Sequence, residues 1–238
     1  MKIAQLKPKE SPMKEARINL SPDMKREFKF LHSACKWKGV PIIAFNTNIS
    51  GTFEIYDVLS PNKIITRLNE SYTLNDFKEK MKKTIMDPNY FMISTSIQFS
   101  SFSNLYEIIS ITKAKWIYVD IGKHQEKRVI AYCDKLRLSF QGCTIFAGNV
   151  ETSEMAKKLI LHGSVDGIKL GLTNVDSQYL KSEESAFLTT FTNCVTMIHD
   201  MGGIIIEDCT ITCPYDIRKA FDNGADFVMV RGTVENIQ

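Results

Sequence analysis

The sequence predicts an α/β protein, a parallel (β/α)8 barrel, on three observations. Eight short apolar runs recur from residue 41 onward. Helix-period segments lie between them, the alternation that builds a parallel sheet. The turn after the first run, FNTNISG (45–51), lacks the glycine-rich pattern that usually opens a doubly wound open sheet. A chain of 238 residues fits one such domain, since these barrels run to ~250 residues.

The first run is PIIAFN (41–46), followed by KIITRL (63–68), YFMISTSI (90–97) and WIYVDIG (116–122). CTIFAGN (143–149), DGIKLGL (166–172), GIIIEDC (203–209) and DFVMVRG (226–232) complete the set. They are β-branched or aromatic and nearly continuous, as strands covered on both faces must be. After the fourth, Val129, Ile130, Cys133, Leu136 and Phe140 form one helical stripe. Thr152 is placed to cap the next helix, which carries Met155, Leu159 and Ile160 and is expected to end at Gly163. After the sixth run, Phe187, Phe191, Cys194, Val195 and Ile198 make another stripe, with Gly202 at its stop. Pro214 suits the first turn of a helix holding Ile217, Ala220 and Phe221 and stopping near Gly224. Residues 1–40 are polar and basic, with weak strand patterns in ARINL and REFKF, and read as an arm lying across a barrel of residues 41–238.

Composition narrows the function. Hydrophobic content of 44% and 24% charge are ordinary for a globular domain. A net charge of +3 is too small for a phosphate-tracking surface, so no nucleic acid partner is expected. The lysines at 78, 80, 82 and 83 read as one solvated helix face. No run approaches the ~18 apolar residues of a membrane span, and MKIAQLKPKE lacks the apolar core of a secretory signal. Six cysteines, several within apolar stretches, suit a reducing compartment, and a cytoplasmic location is expected. Cys209 and Cys213 lack a second pair at zinc spacing, so no metal is expected. The excess of Lys over Arg, with many Ile and Asn, suggests an AT-rich genome such as a viral one.

Four segments resemble the guanosine-monophosphate reductase and inosine-monophosphate dehydrogenase family. They are VPIIAFNTNISGTFE (40–54), WIYVDIG, TIFAGNVETSEMAKKLILHG (144–163) and CPYDIRKAFDNGADFVMVRG (213–232). The resemblance implies a TIM barrel whose chemistry sits in the loops after the strands. It also implies an NADPH-dependent reductase, if the chemistry is intact. The family's catalytic loop reads Gly-x-Gly-Pro-Gly-Ser-x-Cys-Thr-Thr, and its Cys attacks the purine. Here the stretch is GLTNVDSQYLK (171–181), which places Gln178 at the Cys, Asp176 at the phosphate-binding Ser and Val175 at a glycine. A Gln cannot form the covalent bond, and a carboxylate repels phosphate.

The family's His-Lys-His after strand 2 becomes Asn69, Glu70 and Ser71, reversing the middle charge. Its Asp-Gly-Gly after strand 7 becomes Asp208, Cys209 and Thr210, and its final Gly-Gly becomes Arg231 and Gly232. The family continues beyond the position of Gln238 with a flap, a phosphate loop and a helix, so a barrel lacking its final helix is expected. The apolar strip this leaves is expected to be covered by residues 1–40 or another subunit.

Asp208, Arg231, Gly232 and Asn149 are the nucleotide-binding candidates, and Asp120 is the cofactor-binding one. Each has a plainer reading. A strand-end carboxylate such as Asp120 or Asp208 caps local N–H groups, Arg231 pairs with Glu207 or Asp208, and Asn149 steadies its loop. His124 and Cys209 are the remaining candidates for acid–base or nucleophilic work. The expected function is a catalytically inactive relative acting by binding, as a regulatory or inhibitory partner in an oligomer, with weak purine nucleotide binding at most. No cofactor is expected on that reading. The alternatives are an active reductase using NADPH through a rearranged site, and an interaction protein with no ligand.

Overall fold

The computed structural model of the chain describes residues 24–44, 51–122, 126–170, 191–208 apart from 193, and 214–230. A short antiparallel hairpin, β1 (Arg26–Lys29) and β2 (Lys36–Gly39), precedes the barrel. The barrel strands are β3 (Ile42–Ala44), β4 (Ile65–Leu68), β5 (Phe91–Ser96), β6 (Trp116–Asp120), β7 (Thr144–Val150), β8 (Gly167–Leu170), β9 (Ile204–Glu207) and β10 (Phe227–Val230). They pair in chain order, all parallel, and β10 returns to β3 to close the ring. Every one of the eight predicted runs holds a barrel strand, and all but β7 are shorter than their runs because the ends belong to the loops.

The helices are α1 (Phe53–Leu59), α2 (Leu74–Lys83), α3 (Phe99–Thr112), α4 (Glu126–Ser139), α5 (Ser153–Gly163), α6 (194–200) and α7 (Pro214–Asp222). Their starts follow local chemistry. Thr52 and Thr152 accept from the third residue on, Ile55 and Met155. Thr73 and Asp76 form a reciprocal capping box, and those bonds hold the Asp76 carboxyl below its ordinary value. α5 ends at Gly163, as expected, and the left-handed cap is the next residue, Ser164. The glycine also serves packing, because a Cβ there would meet the Cys133 Cβ of α4 at 3.3 Å. Outward-facing Ile42, Ala44, Val228 and Val230, on the first and last barrel strands, are all buried.

Alternation along each strand makes two cores. Ile42, Ile93, Ile117, Val119, Ile145, Ile168 and Ile205 face the helices. Ile43, Ile65, Met92, Trp116, Phe146, Ile206, Phe227 and Met229 fill the interior, joined from below by Phe30 and Trp37 of the hairpin. Trp37 and Phe30 meet Trp116 edge to face, with ring centroids 5.6 and 5.1 Å apart. Both indole N–H groups donate to the Asn89 carbonyl at 3.0 Å. The hairpin thus seals the amino-terminal end of the barrel.

One buried carboxylate fastens this seal. Asp166 Oδ1 accepts from the backbone N–H groups of His32 and Ser33, each at 2.9 Å. Its Oδ2 accepts from the Ile145 N–H at 2.9 Å and from Arg137 Nη2 at 2.6 Å. Arg137 in turn donates to the Cys143, Gln141 and Ser164 carbonyls. Hairpin, β7, α4 and the turn before β8 therefore meet at one ion pair.

Asp166→Ala leaves Arg137 buried without its counter-charge and four donors without an acceptor. The expected loss is ~3–5 kcal/mol, or roughly 10 °C in Tm for a chain of this size. A calorimetric Tm within about 2 °C of wild type would refute the fastening role.

Candidate binding site at the barrel mouth

With the amino-terminal end sealed, the carboxyl-terminal ends of the strands form the open face. Inward-facing residues change character there, from an aromatic tier to a polar one. β4 contributes Arg67, β5 Ser94, β6 Tyr118 and Asp120, β7 Gly148, β8 Lys169, and the residue after β9 is Asp208. Arg67, Ser94, Tyr118, Lys169 and Asp208 are buried, while the Asp120 side chain is half exposed.

The tier is knit together. The Arg67 guanidinium lies 3.6 Å from the Tyr118 ring centroid and donates through Nε to Ser94 Oγ at 3.0 Å. Its Nη2 stands 3.7 Å from Asp120 Oδ2. The Lys169 ammonium, 5.7 Å from the same ring, is ion-paired with Asp208 Oδ2. Gly148 permits this closeness, since a Cβ would sit 2.6 Å from Lys169 Cβ and 3.0 Å from the Tyr118 hydroxyl. Two cations face two carboxylates, so the described part of the tier is neutral. It can orient a polar ligand through Asp120 and the exposed edge of the ring of charges, but it offers no net attraction to phosphate.

Of the predicted residues, Asp208 and Asp120 line this tier, each as the carboxylate of one of its two ion pairs. Asp120 Oδ1 also accepts the Gly122 N–H at 3.1 Å, the local capping bond of the plainer reading. Asn149 follows Gly148 across a cis peptide, and its Oδ1 is buried with no hydrogen-bond partner among the described residues. Glu70 stands apart, exposed beyond β4. Asp176, Gln178, Arg231, Gly232, His124 and Cys209 lie outside the described residues.

Sequence reasoning missed Lys169 and Arg67. Their signal was present: each is a lone cation at an inward position of an apolar strand, KIITRL and DGIKLGL. A buried strand cation requires a partner, and none is adjacent in sequence. The described cysteines do not reach the mouth. Cys133, Cys143 and Cys194 pack in the layer between barrel and helices. Burial pushes the Cys133 thiol up to about 12 and the Cys143 thiol up to about 11, which makes both inert as nucleophiles.

The Lys169–Asp208 pair gives a test. Lys169→Met or Asp208→Leu alone strands a buried charge and should cost ~3–5 kcal/mol, while the double substitution should recover most of that loss. Urea denaturation of the three variants measures it, and additive losses would contradict the pairing.

The geometry can be set beside known proteins. The IMP dehydrogenase / GMP reductase domain matches residues 67–236. The chain is 33% identical to the GMP reductase of Vibrio cholerae over 236 residues, covering 95% of this chain and 65% of that protein. It is 32% identical to the GMP reductase of Yersinia enterocolitica, covering 95% of this chain and 66% of that one. The chain therefore spans about two thirds of the length of these relatives. Among solved structures, the IMP dehydrogenase of Legionella pneumophila superposes with a TM-score of 0.65 at 24% identity, over 81% of this chain and 58% of that one, a likeness of fold. By domain match and by relatedness over nearly its whole length, this chain belongs to the IMP dehydrogenase / GMP reductase family.

Proposed function

We propose that the chain acts by binding and not by the family's covalent chemistry, as a regulatory or inhibitory partner in an oligomer of family members or of its own copies. The observation that carries this reading is Gln178 at the position of the attacking Cys. An amide has no thiolate to offer, and removing the covalent nucleophile removes that reaction path. The mouth supports the same reading. The carboxylate expected to hold ribose, Asp208, is already paired with Lys169, and the described thiols lie elsewhere.

Nucleotide affinity follows from the same inventory. Asp176 and Val175 replace a phosphate-binding serine and a glycine, leaving Arg231 as the compensating charge. One charged contact contributes ~1.5–3 kcal/mol, whereas micromolar binding needs about 8. Purine nucleotides at the mouth are therefore weak ligands, and protein contacts carry the function. The competing reading, an active reductase with a relocated nucleophile, draws on Cys209, which directly follows the mouth residue Asp208.

The purified chain should not consume NADPH on addition of guanosine monophosphate, followed as absorbance of the reduced cofactor. Turnover above background that Cys209→Ala abolishes would establish the relocated nucleophile and end the binding-only reading.

A further inference from the structure

Beside the mouth, between the ends of β4 and β5 and the helices α2 and α3, lies a cleft of about 400 Å³. That is the size of a small-molecule site, which runs from ~300 to 1,000 Å³. It adjoins the polar tier, since Ser94 lies in its lining, but its inner wall also carries Leu68 and Ile93, which face the helices. The floor is apolar and rigid, with Phe77, Leu105 and Ile108 all buried.

The polar groups divide into two sets. Those of the wall are occupied with each other: Ser96 Oγ with Ser101 Oγ at 3.0 Å, and Thr95 Oγ1 with the Tyr132 hydroxyl at 2.9 Å. Three of the rim groups stand open. Glu70, Gln98 and Asn104 are exposed, and no described residue hydrogen-bonds their side chains. The described lining residues include no Lys, Arg or His. The nearest cation of the neighbouring strand, Arg67, faces the barrel interior, where Ser94 and Asp120 engage it.

An apolar floor under a rim of amides and one carboxylate selects a definite chemistry. Flat apolar area is wanted below, and N–H or O–H donors at the edge, where a carboxylate accepts two side by side. Phosphate is disfavoured, since it would meet the Glu70 charge with no cation among the described lining residues to offset it. We propose that this cleft binds an uncharged heterocycle of nucleoside size that presents adjacent N–H donors to Glu70 and carries no phosphate. The site stands apart from the reading of the mouth: turnover by the chain would overturn that reading and leave this one intact.

The test is calorimetric titration of the full chain with guanosine, whose base edge carries two adjacent N–H donors, and with guanosine monophosphate. Guanosine is expected to bind, and the monophosphate about tenfold or more weakly, the effect of one like-charge contact at a partly exposed site. Glu70→Lys should abolish or reverse that preference. Asn104→Trp, at an exposed position of α3, should block guanosine while circular dichroism stays unchanged. No heat with guanosine up to about 1 mM, equal or tighter binding of the monophosphate, or undiminished binding by the Asn104→Trp variant would each overturn the proposal.

Discussion

The Asp166 carboxylate is the joint on which the lower half of this molecule depends. A closed parallel barrel has no free edges, but its two ends still expose interior side chains to water. Here the amino-terminal end is covered by a hairpin too short to be stable alone. Phe30 and Trp37 supply its apolar contact, and Asp166 supplies its position by accepting from His32 and Ser33. Because Arg137 neutralises the same carboxylate, the seal is tied to α4 and to the start of β7 as well. A similar device recurs at the last strand, where Asp226 Oδ2 accepts the Ile205 N–H at 2.8 Å and contacts His199 Nε2 at the same distance. In both places an aspartate just before one strand reaches the strand preceding it, which fixes register without using the interior.

That arrangement leaves the opposite face free to vary. The helix-facing core and the sealed end hold the barrel, so loops after the strands can change composition at little cost to the fold. The departures from the family pattern come in sequence after the strands: Glu70 after β4, Gln178 and Asp176 after β8, Cys209 after Asp208. The polar tier beneath these loops is built differently. Arg67, Tyr118 and Lys169 are strand residues, and their charges are satisfied from within by Asp120 and Asp208. A neutral tier keeps buried cations affordable with no ligand present.

Legibility in the sequence followed the range of the forces involved. The eight strands were readable because a strand buried on both faces must be apolar throughout, a property of its own residues. The cap at Thr152 is equally local. Gly163 was legible as the helix end, while its close contact with Cys133, which belongs to another helix, leaves no mark nearby in sequence. The site was harder for the same reason. Asp208 and Asp120 stood out as strand-end carboxylates, but their partners Lys169 and Arg67 come from other strands. Only the closed barrel brings them together. Glu70 stood out in sequence as a reversed charge, but Gln98 and Asn104 did not, because the cleft is made where two helices meet two strand ends.

The central claim is that the chain has lost the covalent step while keeping the barrel that once housed it. Intact-protein mass spectrometry addresses this most directly. The chain is mixed with excess guanosine monophosphate and acid-quenched, so that any purine bonded to a thiol is trapped. The account predicts a single species at the mass of the unmodified chain. A second species heavier by a purine nucleotide, mapping to any of the six cysteines, would contradict it.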